Sequence, residues 1–100
     1  MTLSWSPQSL DDIESIRAYI SQDSPAYADL VVRRLMASVD RLRIFPESGR
    51  IVPERNDPEI RELIVRPYRI VYRVLPDKVE IVTVFHAARL FPDIPRTGRE

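Results

Sequence analysis

The feature that most constrains the fold is the run of residues 60–89, which contains three segments with strand character separated by two tight reversals. Residues 68–75 (YRIVYRVL) and 79–86 (VEIVTVFH) are rich in β-branched and aromatic side chains, the composition that favours β-strands. The Pro-Asp-Lys sequence between them has turn chemistry. A shorter candidate strand, residues 60–65, precedes them and ends before a proline, which suits a turn better than a central strand position. The run therefore predicts a three-stranded antiparallel meander.

A two-residue hairpin loop at Asp77 and Lys78 would set the pairing of the two long strands. The pairs on the core face would be Val74 with Ile81, Tyr72 with Thr83, and Ile70 with Phe85. The pairs on the other face would be Arg73 with Val82, Val71 with Val84, and Arg69 with His86. Because a slip of one residue moves every side chain to the opposite face, this register is a specific prediction. It brings Arg69 and the only histidine together on the face away from the core.

The first half of the chain predicts two helices, and each begins at a Ser-Pro pair. Ser6 and Ser24 suit the N-cap position, and Pro7 and Pro25 suit the first helical position. Apolar residues recur at helical spacing in both segments. The second helix should end near Ile44, because the residue before the next proline resists the helical conformation. The short linker between the helices predicts an αα-hairpin.

The remaining segments complete a single domain that spans residues 1–100. Residues 2–5 suit an edge strand, residues 47–59 a loop, and the tail from residue 90 an extended segment. The element order is therefore β-α-α-β-β-β. Two amphipathic helices need a surface on which to bury their apolar stripes, and one face of the sheet offers it. We predict an α+β fold with an N-terminal αα-hairpin packed on a small, twisted, mainly antiparallel sheet.

Composition narrows the function classes. The net charge is zero, so the chain as a whole does not have the basic excess of a protein that docks among nucleic-acid phosphates. All but one of the 15 basic residues are arginine, which suits planar contacts to carboxylate or phosphate. The absence of cysteine, of a signal peptide and of an apolar span leads us to expect a cytoplasmic protein. The sequence has no metal-ligand cluster and no glycine-rich phosphate loop, so we expect no cofactor.

The polar residues of the meander allow two interpretations. His86 has a reference pKa near neutrality and could act with Glu62 as an acid–base pair, or it could be a structural hydrogen-bonding residue at a strand end. Arg69 and Arg73 project from one strand face and could contact an anion or an acidic peptide. They could equally form salt bridges inside the domain, for example to Glu62 or Glu80.

Several segments, in order, resemble the RelE/ParE superfamily of bacterial toxins. They are W-S-P near the start, L-R-I-F-P-E-S-G-R after the second helix, R-E-L-I-V, Y-R-I-V-Y-R-V and V-F-H-A-A-R. The resemblance runs from Trp5 to about Arg89 and implies the same fold that the residue patterns predict. It also implies a cognate antitoxin protein whose tail wraps around the toxin, in a complex that is higher-order.

The superfamily divides by target. RelE-type members cut messenger RNA on the ribosome, whereas ParE-type members poison DNA gyrase. Arg69 and Arg89 match arginines of the ribonuclease branch. Ile60 and Glu62, however, stand where that branch often has lysines, and residues 90–95 lack its C-terminal tyrosine.

The closing H-A-A-R resembles ParE-type sequences. The resemblance thus implies a ParE-like toxin that inhibits DNA gyrase and is not itself an enzyme, with Arg69, Arg73, His86 and Arg89 as contact residues for target or antitoxin. One alternative is a RelE-like endoribonuclease that acts on the ribosome and mRNA through Arg69, His86, Arg89 and Glu62. The other is a non-toxic homologue that only binds the antitoxin.

Overall fold

A computed structural model describes residues 1–94 of the chain. Its elements, in chain order, are β1 (Thr2–Trp5), α1 (Pro7–Ser21), α2 (Pro25–Asp40), a 3₁₀ turn (Arg41–Arg43), β2 (Arg50–Ile51), β3 (Ile60–Val65), β4 (Tyr68–Val74) and β5 (Lys78–His86). The strands form one sheet in the order β1-β5-β4-β3-β2. β1 runs parallel to β5 and the other neighbours are antiparallel. The predicted α+β architecture is confirmed.

Both predicted helix starts are confirmed. The Ser6 hydroxyl accepts a hydrogen bond from the Ser9 N–H at 3.0 Å, and the Ser24 hydroxyl accepts one from the Tyr27 N–H at 3.1 Å. These bonds satisfy donors that the first helical turn leaves without partners. The α-helical part of α2 ends at Asp40, and a 3₁₀ turn continues it almost to the predicted end.

The main core lies between the αα-hairpin and one face of the sheet, which we call the helix face. Buried apolar residues of α2, β3, β4 and β5 form it, with Ile13 from α1. Two apolar residues at helical spacing with the buried ones, Leu10 in α1 and Met36 in α2, are exposed at 52% and 44%. The hairpin thus buries narrower stripes than the sequence indicates.

The opposite face of the sheet, which we call the far face, has a smaller core of its own. Its buried members are Val52, Ile60, Val71, Val82, Phe85 and Ile94. The sequence predicts this face to lie away from the core, with a loop before β3 and an extended tail after β5. Instead, that loop contributes strand β2 and Val52, and the tail contributes Ile94 and the half-buried Phe91. The remainder of the tail lies outside the described residues.

The predicted register of the β4–β5 hairpin is wrong. The Leu75 N–H donates to the Lys78 carbonyl at 2.9 Å, so the turn centres on Pro76 and Asp77, one residue earlier than predicted. This shift changes the partners without changing the faces near the turn. The observed pairs are Val74 with Val79, Arg73 with Glu80, Tyr72 with Ile81, Val71 with Thr83, Ile70 with Val84, Arg69 with Phe85, and Tyr68 with His86.

Beyond a β-bulge in β5, farther from the turn, the side chains of this strand lie on the opposite faces from those predicted. Val82 has no partner in β4, so the residues after it point the opposite way from the prediction. Phe85, which we placed on the helix face, lies in the far-face core. His86 pairs instead with Tyr68, whose ring belongs to the main core.

Side chains at and near the N-terminus of α1 form hydrogen bonds with polar groups of β5 around the bulge. One carboxylate oxygen of Asp12 accepts bonds from the Thr83 hydroxyl at 2.6 Å and from the Val84 N–H at 2.9 Å. The Ser6 hydroxyl donates to the Val82 carbonyl at 2.8 Å. Asp12 therefore fixes the face on which the end of β5 lies.

Candidate functional site

Arg69 lies on the far face of β4 and is held by two carboxylates. It is 8% exposed. Its Nε donates to Glu62 at 2.6 Å, and its two terminal nitrogens donate to both oxygens of Glu54 at 2.8 and 3.0 Å. A bidentate arginine–carboxylate pair is among the strongest hydrogen-bonding arrangements in proteins. The side chain is therefore engaged within the domain.

Glu62 extends this arrangement into what we call the charge cluster, formed by Glu54, Arg69, Glu62 and Arg50. Glu62 is 1% exposed, and its second oxygen accepts a bond from Arg50 Nε at 2.6 Å. Charges alternate along the cluster and cancel. Hydrogen bonding to Glu54 is the largest cause that raises the Arg69 pKa, and the same contact lowers the Glu54 pKa.

Two aromatic rings enclose the Arg69 guanidinium. Its central carbon lies 5.3 Å from the ring centroids of both Phe85 and Phe91, within the distance of a cation–π contact. Those two rings meet edge to face. Phe85 reaches this position because the bulge turned it to the far face. The geometry favours the salt-bridge interpretation of Arg69 over an anion site.

His86 lies apart from the charge cluster. It is exposed and meets the Tyr68 ring edge to face at 5.8 Å. Its Nδ1 accepts a bond from the Ala88 N–H at 3.0 Å, so in the neutral ring Nε2 holds the proton. The prediction that Arg69 and His86 share a face is wrong, and so is the pairing of Glu62 with His86 on one face.

Arg73 and Arg89 border a cleft of about 490 Å³ on the far face, formed by the start of α1, β5 and the tail. Arg73 is 3% exposed and stands opposite Glu80 in the ladder, whereas Arg89 is exposed. Acidic side chains also border the cleft, including Asp12 and Glu80. Arg69 and Arg73 project from the same face of β4, as predicted, but only Arg73 borders the cleft with Arg89, and His86 lies on the opposite face.

Sequence reasoning missed a close approach at Gly49, which lies in the segment predicted as a loop. The Gly49 N–H donates to the buried Tyr72 hydroxyl at 2.9 Å, and a Cβ there would lie 2.5 Å from the Glu62 carbonyl oxygen. Burial raises the Tyr72 pKa. The one available signal was a glycine shortly after a Phe-Pro helix end, which does not identify the partner.

Two further observations concern the described part of the chain. Within residues 1–94, no group of three or more His, Cys, Asp or Glu side chains is placed to hold a metal ion. None of the helices in that range combines the length and apolar character that crossing a bilayer requires.

Comparison with known proteins gives a consistent family. Residues 3–91 match the family model described as the ParE toxin of type II toxin–antitoxin systems, parDE. The chain is 41% identical over 87 residues to Toxin RelE2 of Caulobacter vibrioides, covering 86% of this chain and 94% of that protein. It is also 41% identical over 92 residues to putative toxin Y4kP of Sinorhizobium fredii, covering 90% and 92%.

Solved structures share the fold. The chromosomal ParDE system of P. aeruginosa includes a chain with a TM-score of 0.72 at 22% identity, covering 86% of this chain and 95% of that one. A YoeB/ParE toxin from Agrobacterium tumefaciens has a TM-score of 0.61 at 18% identity, covering 86% and 98%. These likenesses agree with the observed order of helices and strands. Together with the match over residues 3–91, they lead to one conclusion: the chain belongs to the family of ParE toxins of type II toxin–antitoxin systems.

Proposed function

We propose that this toxin acts by binding and inhibiting DNA gyrase and that it does not cleave RNA. The observation that carries the proposal is the separation of the candidate catalytic groups. Arg69 and Glu62 neutralise each other inside the charge cluster, whereas His86 stands beside Tyr68 on the helix face. A toxin that acts by binding needs only a surface, so the separation of these groups does not impair its activity.

RNA cleavage by an intramolecular mechanism needs one group to remove the 2′-hydroxyl proton and another to protonate the leaving oxygen. Both groups must lie within hydrogen-bond reach of the same substrate. Glu62 is 1% exposed and already accepts bonds from two arginines, so its oxygens are not accessible to a substrate hydroxyl. His86 has no acidic or basic side-chain partner among its hydrogen bonds in the described residues. These observations support a function without proton transfer.

Two other features support gyrase over the ribosome. The family model that matches residues 3–91 is that of ParE, and ParE-type toxins poison gyrase. The zero net charge also suits a protein target better than a site built from ribosomal RNA phosphates. The ribonuclease alternative draws on the relative named Toxin RelE2 and on Arg69 and Arg89, which match arginines of that branch; of these two, Arg89 is exposed and borders the cleft.

The proposal includes an antitoxin partner and a cytoplasmic site of action. An antitoxin tail that orders on binding gains affinity from apolar anchors and acidic groups laid along grooves of the toxin. We expect a tight, higher-order complex with the product of a neighbouring small reading frame. Co-expression with each neighbouring frame, followed by purification through a tag on the antitoxin, tests this. Absence of the toxin from every eluate would refute it.

The target is tested by measuring DNA supercoiling with purified gyrase beside translation with purified ribosomes. We expect wild-type toxin to inhibit supercoiling and to leave translation unaffected. His86→Gln preserves hydrogen bonding and removes acid–base chemistry, so growth inhibition should persist. For a nuclease that uses His86, the same change should reduce cleavage by on the order of a hundredfold or more.

Arg89→Ala is the complementary variant and should weaken toxicity, because it removes an exposed cation at the cleft. Retained folding and antitoxin binding are the controls for both variants. Loss of toxicity in the folded His86→Gln protein would favour the nuclease. If the wild-type protein inhibits neither supercoiling, nor translation, nor growth, the non-toxic homologue is favoured.

A further inference from the structure

Two adjacent apolar side chains project into solvent just after the 3₁₀ turn. Ile44 is 75% exposed and Phe45 is 62% exposed, and we call this pair the knuckle. Within residues 1–94, no other two consecutive large apolar residues are both more than half exposed. Single exposed apolar residues are ordinary on protein surfaces, whereas adjacent ones that include an aromatic ring indicate an interaction site.

The backbone holds the knuckle in one conformation. The Ile44 and Phe45 N–H groups both approach the Arg41 carbonyl, at 3.2 and 3.0 Å, and the Ser48 N–H donates to the Phe45 carbonyl at 3.1 Å. Leu42, in the 3₁₀ turn just before the knuckle, is fully buried in the main core and anchors the turn there. A segment whose backbone is already hydrogen-bonded loses less conformational entropy on binding, so more of its burial contributes to affinity.

Positive charge borders the knuckle. Arg41 is exposed and forms no ion pair with any described residue. Arg61 donates to the backbone carbonyls of Glu47 and Gly49 at 3.4 and 3.0 Å, so its charge has no carboxylate partner there either. Arg41 belongs to the turn that carries the knuckle, and Arg61 bonds to the carbonyl of Glu47, two residues after Phe45. Glu47 carries an opposing charge on the same segment.

We propose that the knuckle is the anchor with which this toxin docks on its target protein, in an apolar pocket bordered by carboxylates. This inference rests on the proposed function, under which the target is gyrase. Residues 44–48 border only a shallow, open surface and form no deep groove. A projecting pair of side chains fits a concave pocket in a folded protein, whereas an antitoxin tail that orders on binding needs a groove in the toxin.

The test removes the apolar anchor and, separately, inverts the nearby charge. One variant is Ile44→Ser with Phe45→Ser, and the other is Arg41→Glu. Matched controls are Leu10→Ser, which replaces an exposed apolar residue on α1, and Arg33→Glu, which inverts an exposed charge on α2. Each protein is assayed for growth inhibition, for inhibition of supercoiling, for antitoxin binding and for the free energy of unfolding.

We expect the knuckle variants to need at least about tenfold more protein for the same inhibition, as is usual when a central anchor is truncated. Antitoxin binding and stability should match the controls. If the variants inhibit as well as wild type, or lose antitoxin binding instead, the docking inference is overturned. If wild type inhibits growth without affecting supercoiling, gyrase is the wrong target. In that case the growth assay with the knuckle variants still decides whether the knuckle docks on the actual target protein.

Discussion

Replacement of Gly49 by alanine should destabilise the protein strongly, because two independent contacts leave no room for a methyl group. A Cβ at this position would lie 2.5 Å from the Glu62 carbonyl oxygen and 2.6 Å from the Tyr72 hydroxyl oxygen. The first atom belongs to the backbone of a central strand and the second to a fully buried ring. The loop that follows the knuckle must therefore move away from the sheet.

The size of the effect follows from two contributions. Overpacking in a well-packed site typically costs about 1–3 kcal/mol. Movement of the loop also breaks the 2.9 Å bond from the Gly49 N–H to Tyr72, and a buried group without a partner costs about 1–3 kcal/mol more. Together they amount to roughly 2–6 kcal/mol, a large part of the roughly 5–15 kcal/mol that stabilises a typical domain.

Urea titration, followed by the fluorescence of the single tryptophan, measures the free energy of unfolding. Tyr72→Phe in the same series separates the two contributions, because it removes the hydroxyl and leaves the Glu62 carbonyl in place. Gly49→Ala should therefore remain clearly destabilising in the Tyr72→Phe background. A Gly49→Ala protein within about 0.5 kcal/mol of wild type, the range of an ordinary surface substitution, would refute this account of the loop.

Two further predictions concern the bulge and the charge cluster. Asp12→Ala should lower the free energy of unfolding by about 2–4 kcal/mol, because the Val84 N–H and the neighbouring threonine hydroxyl lose their acceptor. The exposed neighbour Asp11→Ala is the control, and equal losses by urea titration would contradict the prediction. Glu54→Gln should destabilise the protein at pH 7, because the charged carboxylate is held by Arg69. Since the Glu54 pKa is lowered by folding, that stabilisation is present above its ordinary value of about 4.5 and is lost as the pH falls through the folded value. The difference between wild type and Glu54→Gln, measured by thermal unfolding from pH 7 to pH 3, should therefore shrink, and a constant difference would contradict it.

Local chemistry was sufficient for the elements of this protein other than the two-residue strand β2. Ser6 and Ser24, each followed by proline, are start signals whose hydrogen bonds lie within one turn, so their outcome depends on few other residues. The strand segments were equally clear, because alternation and β-branched composition act along the chain itself. The ordered motifs from Trp5 to Arg89 also indicated the family. The element order, the architecture and the superfamily were thus accessible before the structure was known.

The faces of the hairpin, in contrast, depended on tertiary contacts. The bulge in β5 is supported by Asp12, which lies 72 residues before Val84 in the chain, and no local pattern indicates that partnership. Because strand side chains alternate, one extra residue moved Phe85 to the far face and left His86 beside Tyr68. The contacts of Arg69 follow from the same bulge, which places Phe85 beside it, and from the folding of the loop before β3, which brings Glu54 to its guanidinium. The sequence alone could supply the two interpretations of Arg69, as an anion contact or as a salt bridge, and only the packed chain placed both carboxylates within hydrogen-bond distance of it.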